Sequence, residues 1–91
     1  MEIKWTQHAL NDLSRIHEFL AAVNESVAAR IVQSLVRAPN GLILNPRIGE
    51  QLFQFEPREV RRILVERYEI RYEIQGNMLF ILRLWHTRED R

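Results

Sequence analysis

The chain is expected to adopt an α+β fold, with an N-terminal strand and an α-helical hairpin packed on one face of a mostly antiparallel sheet, in the order β-α-α-β-β-β-β. Three observations predict it. Apolar residues recur at helical spacing from about Gln7 to Ala38, the period changes to two after Gly49, and Gly76-Asn77 separates two strand-like runs.

With 91 residues there is room for one core and not two, so residues 1–91 are expected to form one domain. A hydrophobic fraction of 46% against 27% charged places the chain among globular sequences and away from disordered ones. No apolar run approaches the roughly 18 residues of a membrane span, and the N-terminus MEIKWTQHAL lacks a signal-peptide core. A cytoplasmic location without membrane contact is therefore expected. The lack of cysteine excludes disulfides, thiolate metal sites and cysteine nucleophiles.

Met1 to Trp5 alternates weakly and reads as the first strand, with Thr6 as the cap of the helix that follows. Ala9, Leu10, Leu13, Ile16, Leu20 and Val23 make one apolar stripe, predicting a helix from Gln7 to Val23. Asn11, Asp12, Arg15 and Glu18 fall on its solvated face. His8 and His17 have no carboxylate or second histidine at metal-ligand spacing, so both are assigned to the surface and no metal is expected. Asn24 or Ser26 caps a second helix, whose Ala28 and Ala29 allow close approach to the first. Pro39, Asn40 and Gly41 stop it. After one more apolar turn at Leu42 to Leu44, a loop at Pro46-Arg47-Ile48-Gly49 leads to the sheet, with Gly49 free to take a positive φ.

Strands are predicted at Glu50–Glu56, Val60–Glu66, Tyr68–Gln75 and Met78–Trp85. In the third of these, Tyr68, Ile70, Tyr72 and Ile74 alternate with Glu69, Arg71, Glu73 and Gln75, the pattern of a half-buried strand. The last is apolar on both faces except at Arg83, as expected of a central strand. A charge there is costly unless paired, and Glu69 or Glu73 on the neighbouring strand is the expected partner.

Twelve of the thirteen basic residues are Arg, and from Arg58 onward they interleave with acidic residues. Arginine grips carboxylates and phosphates bidentately, so the interleaving fits either a salt-bridged sheet face or a polyanion site. Charge alone leaves a protein and a nucleic acid equally open as partners.

The segments W-T-x-x-A-L-x-D-L (Trp5 to Leu13), N-P-R-I-G (Asn45 to Gly49), V-R-R-I-L-V-x-x-Y-x-I-x-Y-x-I (Val60 to Ile74) and I-L-R-L-W-H-T-R (Ile81 to Arg88) together resemble the RelE/ParE superfamily of type II toxin–antitoxin toxins. The resemblance spans nearly the whole chain. It implies a toxin neutralised by a small antitoxin encoded beside it, with operator DNA reached only through that antitoxin and no cofactor. Leu13, Leu20 and Trp85 are the expected antitoxin contacts.

The superfamily divides between ribosome-dependent mRNA endoribonucleases and inhibitors of DNA gyrase. A nuclease site assembled here would use Glu50 as base, Arg61 or Arg71 as phosphate clamp and His86 as acid. The sequence departs from that pattern. No lysine follows Lys4, Glu69 stands where the family's arginine is usual, and Thr87 follows His86 in place of a tyrosine. The ending W-H-T-R-E-D-R is closer to the ParE branch. A ParE-like gyrase inhibitor is therefore the expected function, with the endoribonuclease as the alternative. The expected functional surface is Arg61, Arg83, His86 and Arg88. A third possibility under the same resemblance is a non-toxic scaffold serving autoregulation.

Overall fold

Thr6 joins the two layers. In a computed structural model, which describes residues 1–89, strand β1 (Glu2–Trp5) ends at Thr6 and helix α1 (Gln7–Ala21) begins after it. The Thr6 hydroxyl oxygen accepts the Ala9 N–H at 3.1 Å and donates to the Ile81 carbonyl at 2.8 Å. One side chain thus caps the helix and pins it to the sheet. Helix α2 (Glu25–Arg37) starts where Asn24, extended at φ −159°, accepts the Val27 N–H. Because Asn24 must leave helical geometry to cap α2, α1 stops at Ala21, short of the expected Val23.

Two 3₁₀ turns, Ala38–Leu42 and Pro46–Ile48, lead into the sheet strands β2 (Glu50–Gln51), β3 (Glu59–Val65), β4 (Tyr68–Gln75) and β5 (Met78–His86). The five-stranded order is β1-β5-β4-β3-β2, with β1 parallel to β5 and every other pair antiparallel. The expected α+β order is borne out. The expected strand to Glu56 is not, and register explains why. Glu50 faces Arg62 and Gln51 faces Arg61, so the reversal is centred on Glu56 and the residues around it must turn. Phe53–Phe55 form a 3₁₀ turn instead. At the other hairpin, Gly76 adopts φ +57°, which a glycine reaches without steric cost.

Helices and sheet enclose one core. Ala9, Ile16, Ile31 and Leu35 from the helices meet Tyr68, Ile70, Tyr72, Ile74, Leu79, Ile81 and Leu84 from the sheet. Each large aliphatic side chain buried this way stabilises the fold by about 1.5–3 kcal/mol. Strand β4 departs from its expected half-burial. Glu69 and Glu73, on the face away from the helices, are each only 4% exposed, because long arginine side chains lie over them.

A bulge in β5 sets what each face carries. Tyr72 faces Ile81 but Arg71 faces Arg83, so Leu82 is an extra residue. Strict alternation would place Arg83 in the core beside Ile81. The bulge turns Arg83 and Trp85 to the open face and lets Leu84 and Ile81 both point toward the helices.

Candidate functional site

The open face of the sheet carries a row of arginines. Arg62 on β3 faces Arg71 on β4, and Arg71 faces Arg83 on β5. Like charges on adjacent strands repel, so the row persists only because carboxylates are placed between them. Glu69 accepts hydrogen bonds from Arg62 and Arg71, each at 3.1 Å. Glu50, opposite Arg62 on β2, accepts from it at 2.8 Å. Arg83 reaches Asp12 of α1 through Nε at 2.8 Å and Nη2 at 3.2 Å. The expected partner of Arg83 was Glu69 or Glu73. Arg83 lies opposite Arg71, not opposite either glutamate, and the two glutamates are taken by Arg62 and Arg71 and by Arg58.

Aromatic rings complete this face. The Arg71 guanidinium carbon lies 4.6 Å from the Trp85 ring centre and 5.1 Å from that of Phe55. Arg71 is thus held between two rings, a cation–π arrangement strengthened where water is excluded, and its buried Nε makes no hydrogen bond among the described residues. Beside it Arg58 grips Glu73 bidentately at 2.7 and 3.1 Å. Those hydrogen bonds hold the Glu73 carboxyl below its ordinary value, against the effect of burial.

Asp12 sits at the edge of this face and is buried, where the helical pattern placed it in solvent. Strand β1 pairs with β5 only as far as Ile81, so the next stretch of β5 has no strand on the edge away from β4. Side chains of α1 take its place. Asp12 accepts the Leu84 N–H at 2.9 Å and Arg15 donates to the Leu84 carbonyl at 3.3 Å. Burial alone would raise the Asp12 carboxyl. The hydrogen bonds from Arg83 and Leu84 and the charges of Arg83 and Arg15 outweigh it and leave the carboxyl below its ordinary value.

The end of β5 forms a second feature. His86 lies opposite Tyr68, and their rings meet edge to face with centres 5.1 Å apart. The His86 Nδ1 accepts the Arg88 N–H, and Glu89 accepts from the His86 N–H and from Arg15. Between this end and α1 lies a cavity of about 510 Å³. Ile16, Phe19 and Tyr68 supply its apolar lining, and Arg15, His86, Arg88 and Glu89 its polar rim.

The four residues of a possible nuclease site are not gathered at one place. Glu50 and Arg71 belong to the open face, whereas His86 lies on the helix side against Tyr68. Arg61 faces Tyr72, four residues along β4 from Tyr68, roughly 13 Å away by strand rise. It donates to the carbonyls of Gly49 and Arg47 and pairs with Glu59, which fixes the loop before β2. Of the expected functional surface, Arg83 joins the open face, His86 and Arg88 the cavity rim, and Arg61 the loop.

Two comparisons with known proteins fit this architecture. The family model described as the ParE toxin of the type II toxin–antitoxin system, parDE, matches residues 3–91. This chain belongs to the ParE toxin family. A solved structure described as the chromosomal ParDE TA system from P. aeruginosa superposes with a TM-score of 0.77 at 25% identity, covering 94% of this chain and 95% of that one. No curated protein matches in sequence.

As a ParE-family member the chain is a type II toxin, and the family implies a cognate antitoxin. Leu13 and Leu20, expected to meet the antitoxin, are partly buried and pack against the core from α1. Trp85, the third, is 3% exposed beneath Arg71 and Arg83, so a partner reaches it only through those arginines. Asp12, Phe55 and Arg58 hold parts of the face that the sequence did not single out. The acidic position 12 on an otherwise polar helix face carried no signal of its burial. Among the described residues no helix is long and apolar enough to cross a membrane.

Proposed function

We infer that this ParE-family toxin acts in the cytoplasm by binding DNA gyrase and blocking replication, and that a cognate antitoxin holds it inactive. On this reading it is a binding module. The gyrase cleavage complex performs the chemistry and the toxin traps it, with no cofactor, while operator DNA is reached only through the antitoxin.

One observation carries the reading: the arginines of the open face are already neutralised within the protein. Arg62, Arg71 and Arg83 each hold a carboxylate, and Glu69 stands at the centre of the row. A scissile phosphate would have to compete with these carboxylates and sit beside a buried negative charge. A protein surface needs no such exchange. It gains from a rigid array of guanidinium and ring edges, the residue types that dominate interface energetics. The placing of Glu50, Arg71 and His86 on different faces supports the same choice.

Controlled expression in growing cells tests it, with DNA double-strand breaks, SOS induction and translation followed separately. Breaks and SOS induction preceding any fall in translation are expected. Rapid translation arrest with cleaved mRNA and intact DNA would establish the endoribonuclease activity instead.

A further inference from the structure

We propose that the cavity at the end of β5 is the anchoring site for the antitoxin, taking a bulky apolar side chain flanked by carboxylates. The proposal rests on the toxin–antitoxin reading above and adds to it the place and chemistry of the contact.

The cavity volume of about 510 Å³ lies within the range of ligand-binding clefts and admits one or two large side chains. Its apolar lining continues outward. Phe19 on the rim is 74% exposed, and Val23, one turn further along the chain, is 87% exposed. Phe19 is thus a large apolar group in water at the mouth of a preformed recess, with Val23 exposed in the turn that follows α1, an arrangement that marks a protein contact site.

The charge at this end selects what enters. On the open face each arginine of the row has a carboxylate. Here Glu89 is already engaged by Arg15 and by the His86 N–H. Arg88 is exposed and has no acidic partner among the described residues, and the same holds for Arg67 on the adjoining turn. The Thr87 N–H donates to the Arg67 carbonyl at 2.9 Å, which ties that turn to the cavity rim. Two guanidinium groups without an acidic partner among the described residues, beside an apolar recess, are complementary to an apolar residue with Asp or Glu next to it. A partner seated there covers His86 and Arg88, which lie on the cavity rim.

The test uses the intact toxin and its own antitoxin, with affinity measured by calorimetry. Arg88→Glu and Phe19→Ser, both at exposed positions, are each expected to raise Kd tenfold or more. Arg37→Glu, an exposed arginine at the far end of α2, should stay within twofold. Amide shifts of Tyr68 and His86 on adding the antitoxin are expected to accompany binding by the wild type. Wild-type affinity in both cavity variants, with folded spectra, would overturn the anchoring site and leave the toxin–antitoxin reading standing. Failure of the wild-type chain to bind its antitoxin at all would overturn that reading, and the site with it. If the chain alone sediments as a dimer that Arg88→Glu dissociates, the occupant is a second copy and the proposal is wrong.

Discussion

The Asp12 carboxylate accepts the Leu84 N–H at 2.9 Å, and so completes β5 where β1 has ended. Asp12→Ala leaves that buried N–H without an acceptor and is expected to cost about 2–3 kcal/mol. Arg83 is half-exposed, so loss of its ion pair adds little. In a domain of this size, a cost of that order lowers Tm by about 10 °C or more. Asp12→Asn keeps an acceptor for Leu84 and should lose clearly less, which paired thermal melts would show.

Acid should find the same residues. Asp12 is held below its ordinary value of 3.8, and Glu73 and Glu59 below 4.5. The unfolded chain therefore binds these protons first, and the stability they contribute is present in full above those ordinary values. It is lost as pH falls through the lower folded-state values. The urea midpoint is expected to hold steady from pH 7 to about pH 5.5 and to fall steeply below about pH 4. Asp12→Asn should show a shallower fall.

Gly49 is required for space. Its φ of −71° is open to any residue, in contrast to the positive φ expected from its loop position. A Cβ there would land on the Tyr72 hydroxyl and 2.7 Å from the Arg62 carbonyl oxygen. The Tyr72 hydroxyl accepts the Gly49 N–H and donates to the Pro46 carbonyl, so it has no room to retreat. Gly49→Ala is expected to destabilise by about 1–3 kcal/mol in urea titrations. Gly49→Ala in a Tyr72→Phe background, which removes the clashing oxygen, should cost less than the single losses summed.

The turn between β3 and β4 is built from the wrong residues for its geometry. Glu66 and Arg67 both have positive φ, 52° and 69°, where Asn and Gly are favoured. Glu66 is retained by hydrogen bonds from Arg30 and Ser34 of α2. Arg67 has no such tie through its side chain among the described residues, so Arg67→Gly is expected to stabilise by about 0.5–1 kcal/mol, read as a rise in Tm.

These residues show what was legible in the sequence. The helices were, because Thr6 is a strong cap and the apolar period is regular, and so was the Gly76-Asn77 hairpin, because its turn chemistry is local. The short β2 was not, since its length is set by the register with β3 and not by the pattern L-F-Q-F. The partner of Arg83 was hidden by the bulge at Leu82, which no alternation rule anticipates. Asp12 looked solvated because a helix period says nothing about where a neighbouring strand runs out. Of the candidate site, the residue types were legible and their sorting onto two faces was not. That sorting depends on strand order and bulge position, both of which are long-range.

A supercoiling and cleavage assay with purified DNA gyrase tests the central claim most directly. With ATP and closed circular DNA, the purified toxin is expected to accumulate linear, gyrase-linked DNA, and an equimolar amount of antitoxin should abolish the effect. Undisturbed gyrase at saturating toxin, together with mRNA cleavage in a purified translation reaction, would contradict it.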